Sequence, residues 1–198
     1  MDSAKSPLFI QLENHVLSRT SLWIAFLWGF AEATLFFIVP DVYLILMSII
    51  HWRRGVLEAF LVVLGAVVGG SVMYWLAVSD GAMMIRVLDA VPLISLDMID
   101  SVSKGLDVGF ATFFKGPVTG VPFKIYAVQA GVHHIPYFIF VLLAAAARLE
   151  RILAVAIIGG FLGNGFKRFV QTRTKGVVAG YILMWAAIYV GYYLQFRP

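Results

Sequence analysis

Cysteine is missing from this chain of 198 residues, and charge is scarce: Asp, Glu, Lys and Arg make up 13%, against roughly a quarter in an ordinary soluble domain. Without cysteine there is no disulfide framework and no thiolate metal site, and the redox compartment is left open. With so little charge, 61% hydrophobic residues and a mean hydropathy of +0.90, a water-soluble fold is excluded. A chain of this length forms one domain, 1–198, and cannot hide that much apolar surface from water, so lipid must solvate most of its side chains. The expected class is an all-α integral membrane protein.

The arrangements that carry covalent chemistry are missing too. Ser71, Ser79 and Thr119 have no His and Asp partners at suggestive positions, which leaves a hydrolase triad without support. The run from Gly159 to Gly165 lacks a preceding strand and a Gly-Lys-Ser/Thr ending, so it reads as close helix packing rather than a phosphate loop. His133 and His134 face different directions on a helix and have no Asp or Cys nearby; they read as interface residues, not metal ligands. No metal or cofactor is expected, and an enzyme is the least favoured class. The net charge of +4 lies in short clusters between apolar segments, which is a topology signal and not a nucleic-acid footprint.

What is present is a series of apolar segments separated by breaks. Residues 5–19 place Leu8, Leu12 and Val16 four apart opposite Glu13 and Asn14, the pattern of a helix lying in a membrane interface. With Lys5, Glu13, His15 and Arg19 among its apolar residues, this start does not read as a cleavable signal. Residues 21–50 are nearly unbroken apolar sequence but contain Glu32 and are cut at Pro40-Asp41. Proline removes a helical hydrogen bond and disfavours helix at Val39, so two half-helices are expected. The second half is too short to span, and the pair reads as a re-entrant hairpin that returns to water at 51–55.

Residues 56–79 are long enough to cross, with Gly65, Gly69 and Gly70 on a close-packing face. Residues 80–108 carry aspartates at 80, 89, 97, 100 and 107 yet keep helical apolar spacing around Pro92, as short interfacial helices do. Residues 109–132 are apolar again, interrupted by Gly116-Pro117, Gly120 and Pro122, and contain Lys115 and Lys124: a second re-entrant hairpin. Crossings at 136–165, which includes Arg148, Glu150 and Arg151, and at 176–195 complete the chain, with a basic loop between them. Trp185, Tyr189, Tyr192 and Tyr193 suit an aromatic interface belt.

Three crossings and two hairpins place Lys5, Arg19, Arg53, Arg54, Lys167, Arg168, Arg173 and Lys175 on one side, and Arg86, Lys104 and Arg197 on the other. By the positive-inside bias, the N-terminus is cytoplasmic and the C-terminus outside, in an inner, cytoplasmic-type membrane.

Two broken apolar segments in corresponding positions, each followed by a crossing, point to an inverted-repeat-like transporter with its site near mid-membrane. The first brings Glu32 and Asp41 and the second Lys115 and Lys124; intramembrane ionisable groups are costly and point to function by default. They are expected to pair, take up a proton or bind a headgroup phosphate if the hairpin tips meet. Plainer readings stand beside this one. In these, Asp41 is a simple helix cap, Lys115 and Arg148 are snorkelling cations, and Glu32 belongs to a structural ion pair.

The stretch Phe30-Ala-Glu32-Ala-Thr-Leu-Phe-Phe-Ile-Val-Pro40-Asp41, together with Lys115-Gly-Pro117-Val-Thr-Gly-Val-Pro122-Phe-Lys124-Ile-Tyr-Ala-Val-Gln-Ala-Gly131, resembles the DedA/VTT (SNARE-associated) membrane protein superfamily, most closely its YqaA-like branch. The resemblance extends over Gly65 to Tyr74 and to Arg148 and Arg151. It implies opposed re-entrant hairpins and lipid translocation, as a scramblase or flippase, with Glu32 as the embedded acid and Lys124 near the second basic position. Where the family pattern has arginines this chain has Lys115 and Lys124, the latter shifted by one residue relative to Ala130-Gly131. Lysine lacks arginine's bidentate grip on phosphate.

The expected function is therefore membrane lipid translocation with proton coupling left open, and with Glu32, Asp41, Lys115, Lys124, Arg148 and Arg151 as site residues. Membrane lipids are the expected partners, with protons and self-association left open. The rivals are a proton-coupled transporter of small ions or solutes and a structural assembly protein.

Overall fold

The computed structural model describes residues 5–195, the side chains at 117, 118 and 195 excepted, and no strand occurs among them. In chain order the helices are α1 (Pro7–Leu17), α2 (Arg19–Ala33), α3 (Asp41–Ile50), α4 (Trp52–Ser79), α5 (Gly81–Asp89), α6 (Leu96–Val108), α7 (Gly116–Thr119), α8 (Phe123–Val132), α9 (Tyr137–Gly165), α10 (Lys167–Thr172) and α11 (Thr174–Gln195), with a 3-10 turn at Phe110–Phe114 before α7. Arg197, assigned above to the outer side, lies outside the described residues.

Short polar residues set the helix boundaries. Ser6 Oγ accepts from Phe9 N, and Pro7 occupies the first turn of α1, where a missing N–H costs nothing. Ser18 closes α1 by donating to the His15 carbonyl at 2.7 Å and caps α2 by accepting from Ser21 N. The first break follows Ala33, where Thr34 Oγ1 bonds back to the carbonyls of Phe30 and Ala31, and helix resumes only at Asp41. Trp28 Nε1 donates to the Ile38 carbonyl at 3.0 Å and folds the break back over α2.

Two expected loops are helical instead. His51 alone separates α3 from α4, because its Nδ1 accepts from Arg54 N and caps the new helix; Trp52, Arg53 and Arg54 thus form the first turn of α4. The basic stretch after Gly165 is likewise taken up by α10 and the start of α11, where Thr174 Oγ1 donates to the Val170 carbonyl.

Helix α4 is the axis of the fold. Arg54 donates to the Ser18 carbonyl at 2.7 Å, and further along Gly65 faces the Phe26 carbonyl and Gly69 the Phe30 carbonyl, so α2 runs beside α4 in the same direction. A Cβ at Gly65 would stand 2.0 Å from Phe26 O, and one at Gly29 would stand 2.1 Å from Val62 O; only glycine admits this approach. The first break therefore lies level with Gly69, well short of α4's end at Ser79. From the other end, α8 packs on the upper half of α4, with Phe123 against Gly70 and Gly131 against Tyr74 and Ala77. Helix α9 returns antiparallel: Tyr137 Oη bonds Ser71 Oγ at its start, and Gly160 and Gly163 meet Trp52 and Ile49 near its end.

The apolar core follows this layout. One cluster joins α4, α8 and α9 with Leu88 of α5 and Ile99 and Val102 of α6. A second lies between α2, α3, α4 and α9, around Ala25, Leu44, Val62 and Ile152. A third fixes α1 through Phe9 and Val16 to Met47 and Val170.

Two helices, Trp52–Ser79 and Thr174–Leu194, are long and apolar enough to cross a membrane. Half of the apolar window of α4 is buried within the protein, whereas none of that of α11 is. Helix α9 has 29 residues, but Arg148, Glu150 and Arg151 interrupt its middle, so the crossing expected at 136–165 does not follow from apolar length.

Candidate functional site

The two broken segments meet. Lys124, one residue into α8 and 2% exposed, extends its ammonium to the Phe36 carbonyl at 2.6 Å. That carbonyl is available because the break at 34–40 removes the helical donor that would otherwise take it. The second break is built on Gly120, whose φ of 78° is a left-handed conformation that suits glycine, and on Pro122, which precedes α8. Pro117 stands in the first turn of α7, and Gly116 lies against the Tyr126 ring.

The acids do not pair with the lysines of the opposite hairpin. Glu32 pairs with Arg148, both of them buried, and Asp41 pairs with Arg151. Arg148 and Arg151 lie three apart on α9 and so project from one face, which lets one helix clamp the acids on either side of the first break. The Arg148 guanidinium also lies over the Phe123 ring, 4.7 Å from its centroid. Asp41 does not cap α3 with its side chain, and Arg148 does not snorkel outward; both plainer readings give way to these pairs. Lys115 is exposed, as a snorkelling cation is, and pairs with neither acid.

A cavity of about 210 Å³ opens beside these pairs, lined by Glu32, Val39, Pro92, Val121, Lys124 and Arg151 among others. It has room for roughly seven waters at liquid density. Unused hydrogen-bonding capacity remains within the two pairs themselves, since Asp41 Oδ1 and Arg148 Nε are buried without a partner.

Helix α11 forms one wall. Trp185, Tyr189 and Tyr192 line the cavity from it, so these aromatics face inward instead of forming only an interface belt. Tyr189 Oη accepts from Val39 N at 2.9 Å, Tyr181 Oη donates to the Val42 carbonyl at 2.9 Å, and Tyr192 Oη donates to the Gly120 carbonyl at 3.4 Å. Polar fastenings thus join an otherwise lipid-like helix to both breaks.

Glu58 escaped the sequence reading because the segment around it passed as a plain crossing. It is fully buried, and both carboxyl oxygens lack a hydrogen-bond partner. Ser21 and Arg54 are close enough to act on it, while the Ser21 hydroxyl is also within reach of the Val16 and Ser18 carbonyls and Arg54 donates to those same two carbonyls. An acid inside an apolar span is itself the signal that would have singled it out. His133 bonds Ser103 at 2.9 Å and faces Asp107 at 3.3 Å, and no group of His, Cys, Asp or Glu able to hold a metal occurs among the described residues.

No family model matches the chain, and no solved structure matches it. A Haemophilus influenzae protein, described only as an uncharacterized protein, is 29% identical over 144 residues, which cover 73% of this chain and 74% of that protein. The similarity reaches most of both chains and carries no activity with it.

Proposed function

We propose that the protein is a lipid translocase of the inner, cytoplasmic-type membrane, in which the segments 21–50 and 109–132 are opposed re-entrant hairpins and a lipid headgroup crosses beside their meeting point. The observation that carries this reading is the charged seam at the two breaks: Lys124 on the Phe36 carbonyl, flanked by the Glu32–Arg148 and Asp41–Arg151 pairs, next to a cavity walled by a helix that is apolar on its outer side. Buried charge of this kind is expensive, and it is commonest in membrane proteins where polar cargo passes. Broken helices meeting at one level leave free backbone groups there to replace a headgroup's hydration.

In this reading α4, α9 and α11 cross, with the N-terminus cytoplasmic and the C-terminus outside, and the inward pairing of Arg148 and Arg151 spares α9 from presenting charge to lipid. The acyl tails stay in the bilayer while the phosphate passes Lys124 and Arg151, exchanging its counter-charges step by step. Glu32 and Asp41 hold the arginines when no phosphate is present, and they are the groups through which a proton gradient would drive the cycle. The charges serve transport, not covalent chemistry.

The test is translocation of headgroup-labelled phospholipid in liposomes containing the purified protein, with Lys124→Met and Glu32→Gln compared with wild type, with and without a pH gradient. Lys124→Met keeps the volume of the side chain and removes its charge. Rapid loss of inner-leaflet label with wild type and not with folded Lys124→Met is the expected result, and dependence on the gradient separates coupled from passive movement. Absence of transfer for every headgroup sinks the proposal and directs the same variants to proton and small-solute flux.

A further inference from the structure

A second cavity, of about 440 Å³, lies at the opposite end of the fold from α5 and α6, where α1, the α3–α4 junction and the α9–α10 junction converge. Ser6 N on the Gln171 carbonyl, at 2.9 Å, and Ser6 Oγ on Thr174 Oγ1, at 2.7 Å, hold these elements together. Its lining includes Lys5, His51, Arg53 and Lys167 and a single acid, Glu13. Glu13 is already held by Lys5 at 2.8 and 3.0 Å, so it neutralises neither Arg53 nor Lys167. Those two side chains are exposed and make no ion pair among the described residues; Arg53 lies over the Trp52 ring, 5.5 Å from its centroid. Asn164 and Gln171 add neutral polar groups to the wall. His51 Nδ1 is occupied as an acceptor by Arg54 N, which makes the other ring nitrogen the donor.

The surroundings are those of a membrane interface. Beside the cations, Trp52, Phe166 and Phe169 are exposed by 48%, 62% and 59%, and Phe161, one turn back along α9, by 79%. Aromatic rings at the rim and cations inside the cavity match a ligand with an apolar tail and an anionic head.

We infer that this cavity binds one anionic phospholipid, its phosphate held by Arg53 and Lys167 and its tails lying over Trp52 and Phe161. Arginine supplies the bidentate contact, lysine the point charge, and Asn164 and Gln171 meet the remaining headgroup oxygens. The site is separate from the seam at the two breaks. It rests on the membrane reading of the protein and is independent of translocation.

Intact-mass spectrometry of the full chain in neutral detergent, offered phosphatidylglycerol and phosphatidylcholine at equal concentration, tests this. Wild type is expected to retain phosphatidylglycerol and release phosphatidylcholine. The double variant Arg53→Ala/Lys167→Ala removes two interfacial cations and is expected to lower retention on the order of tenfold to thirtyfold. Both positions are exposed, so its thermal unfolding midpoint should match wild type; should it not, Arg53→Glu alone reverses charge at the rim and is expected to abolish retention. Lys104→Ala, which removes an exposed cation on α6 at the other end of the fold, is expected to leave retention unchanged, and because retention is measured without transport, failure here and failure of transport are read separately. Equal retention of the two lipids, or retention unaffected by the double variant, overturns the inference. Displacement of the lipid by millimolar inorganic phosphate also overturns it and gives the cavity to the free anion.

Discussion

A guanidinium sealed between helices, as Arg148 is, depends on Glu32 for its counter-charge, and Glu32 depends on it in turn. Removing either partner leaves a buried, unbalanced charge. Glu32→Gln and Arg148→Met should therefore each cost about 3–5 kcal/mol of stability, whereas the double variant, with no charge left, should recover most of the loss. Chemical unfolding in detergent of the two single variants and the double checks this; additive losses would mean that the pair does not act as a unit. Glu58 is the opposite case, a buried acid with no ion-pair partner, near Ser21 and Arg54 but hydrogen-bonded to neither. Burying an uncompensated polar group costs about 1–3 kcal/mol, so Glu58→Leu is expected to raise the unfolding midpoint. If the same variant also slows lipid transfer, the acid is kept for function at the expense of stability.

The helices themselves were legible where composition changes sharply. Pro40 and Pro122 mark the edges of the two breaks, and the glycines at 65, 69, 159 and 163 lie where helices touch, as their spacing indicates. What the sequence left open is which helix supplies the counter-charges. Glu32 and Asp41 could be matched with Lys115 and Lys124 by complementarity, but Arg148 and Arg151 reach them only because α9 folds back antiparallel to α4, a tertiary fact with no local signature. The inward tyrosines of α11 were hidden for a related reason, since an aromatic at a helix end reads the same whether it meets headgroups or a carbonyl. Packing can be tested element by element. Gly29→Ala would set a Cβ 2.1 Å from the Val62 carbonyl and should cost about 1–3 kcal/mol, while Gly180→Ala in α11, with open space around it, should be neutral or stabilising by up to about 1 kcal/mol. Loosening α11 is a separate matter. Tyr181→Phe/Tyr189→Phe removes its fastenings to Val42 and Val39, and a cysteine placed at Val121 should then react faster with maleimide than in the wild-type background.

Across the whole molecule, the decisive question for the proposed topology is how deeply residues 21–50 enter the bilayer. Helix α4 has 28 residues, about 42 Å of helix, enough to traverse a hydrocarbon core of about 30 Å with some tilt. Because α2 runs beside it and stops level with Gly69, and α3 leads back to the end from which α2 came, the proposed crossing of α4 would put the turn at 34–40 inside the slab. The chain has no cysteine, so single cysteines report position without background. Arg53→Cys and Lys175→Cys should react with an impermeant maleimide only in inverted vesicles, and Lys104→Cys, 76% exposed beyond the far end of α4, only from the outside of intact cells. Leu35→Cys at the tip of the break is the discriminating case. Its side chain is 54% exposed on the protein, so shielding by protein alone does not protect it. A hairpin that turns back within the bilayer leaves it unreactive from outside, where a pair of full crossings would present it beside Lys104→Cys and label both alike.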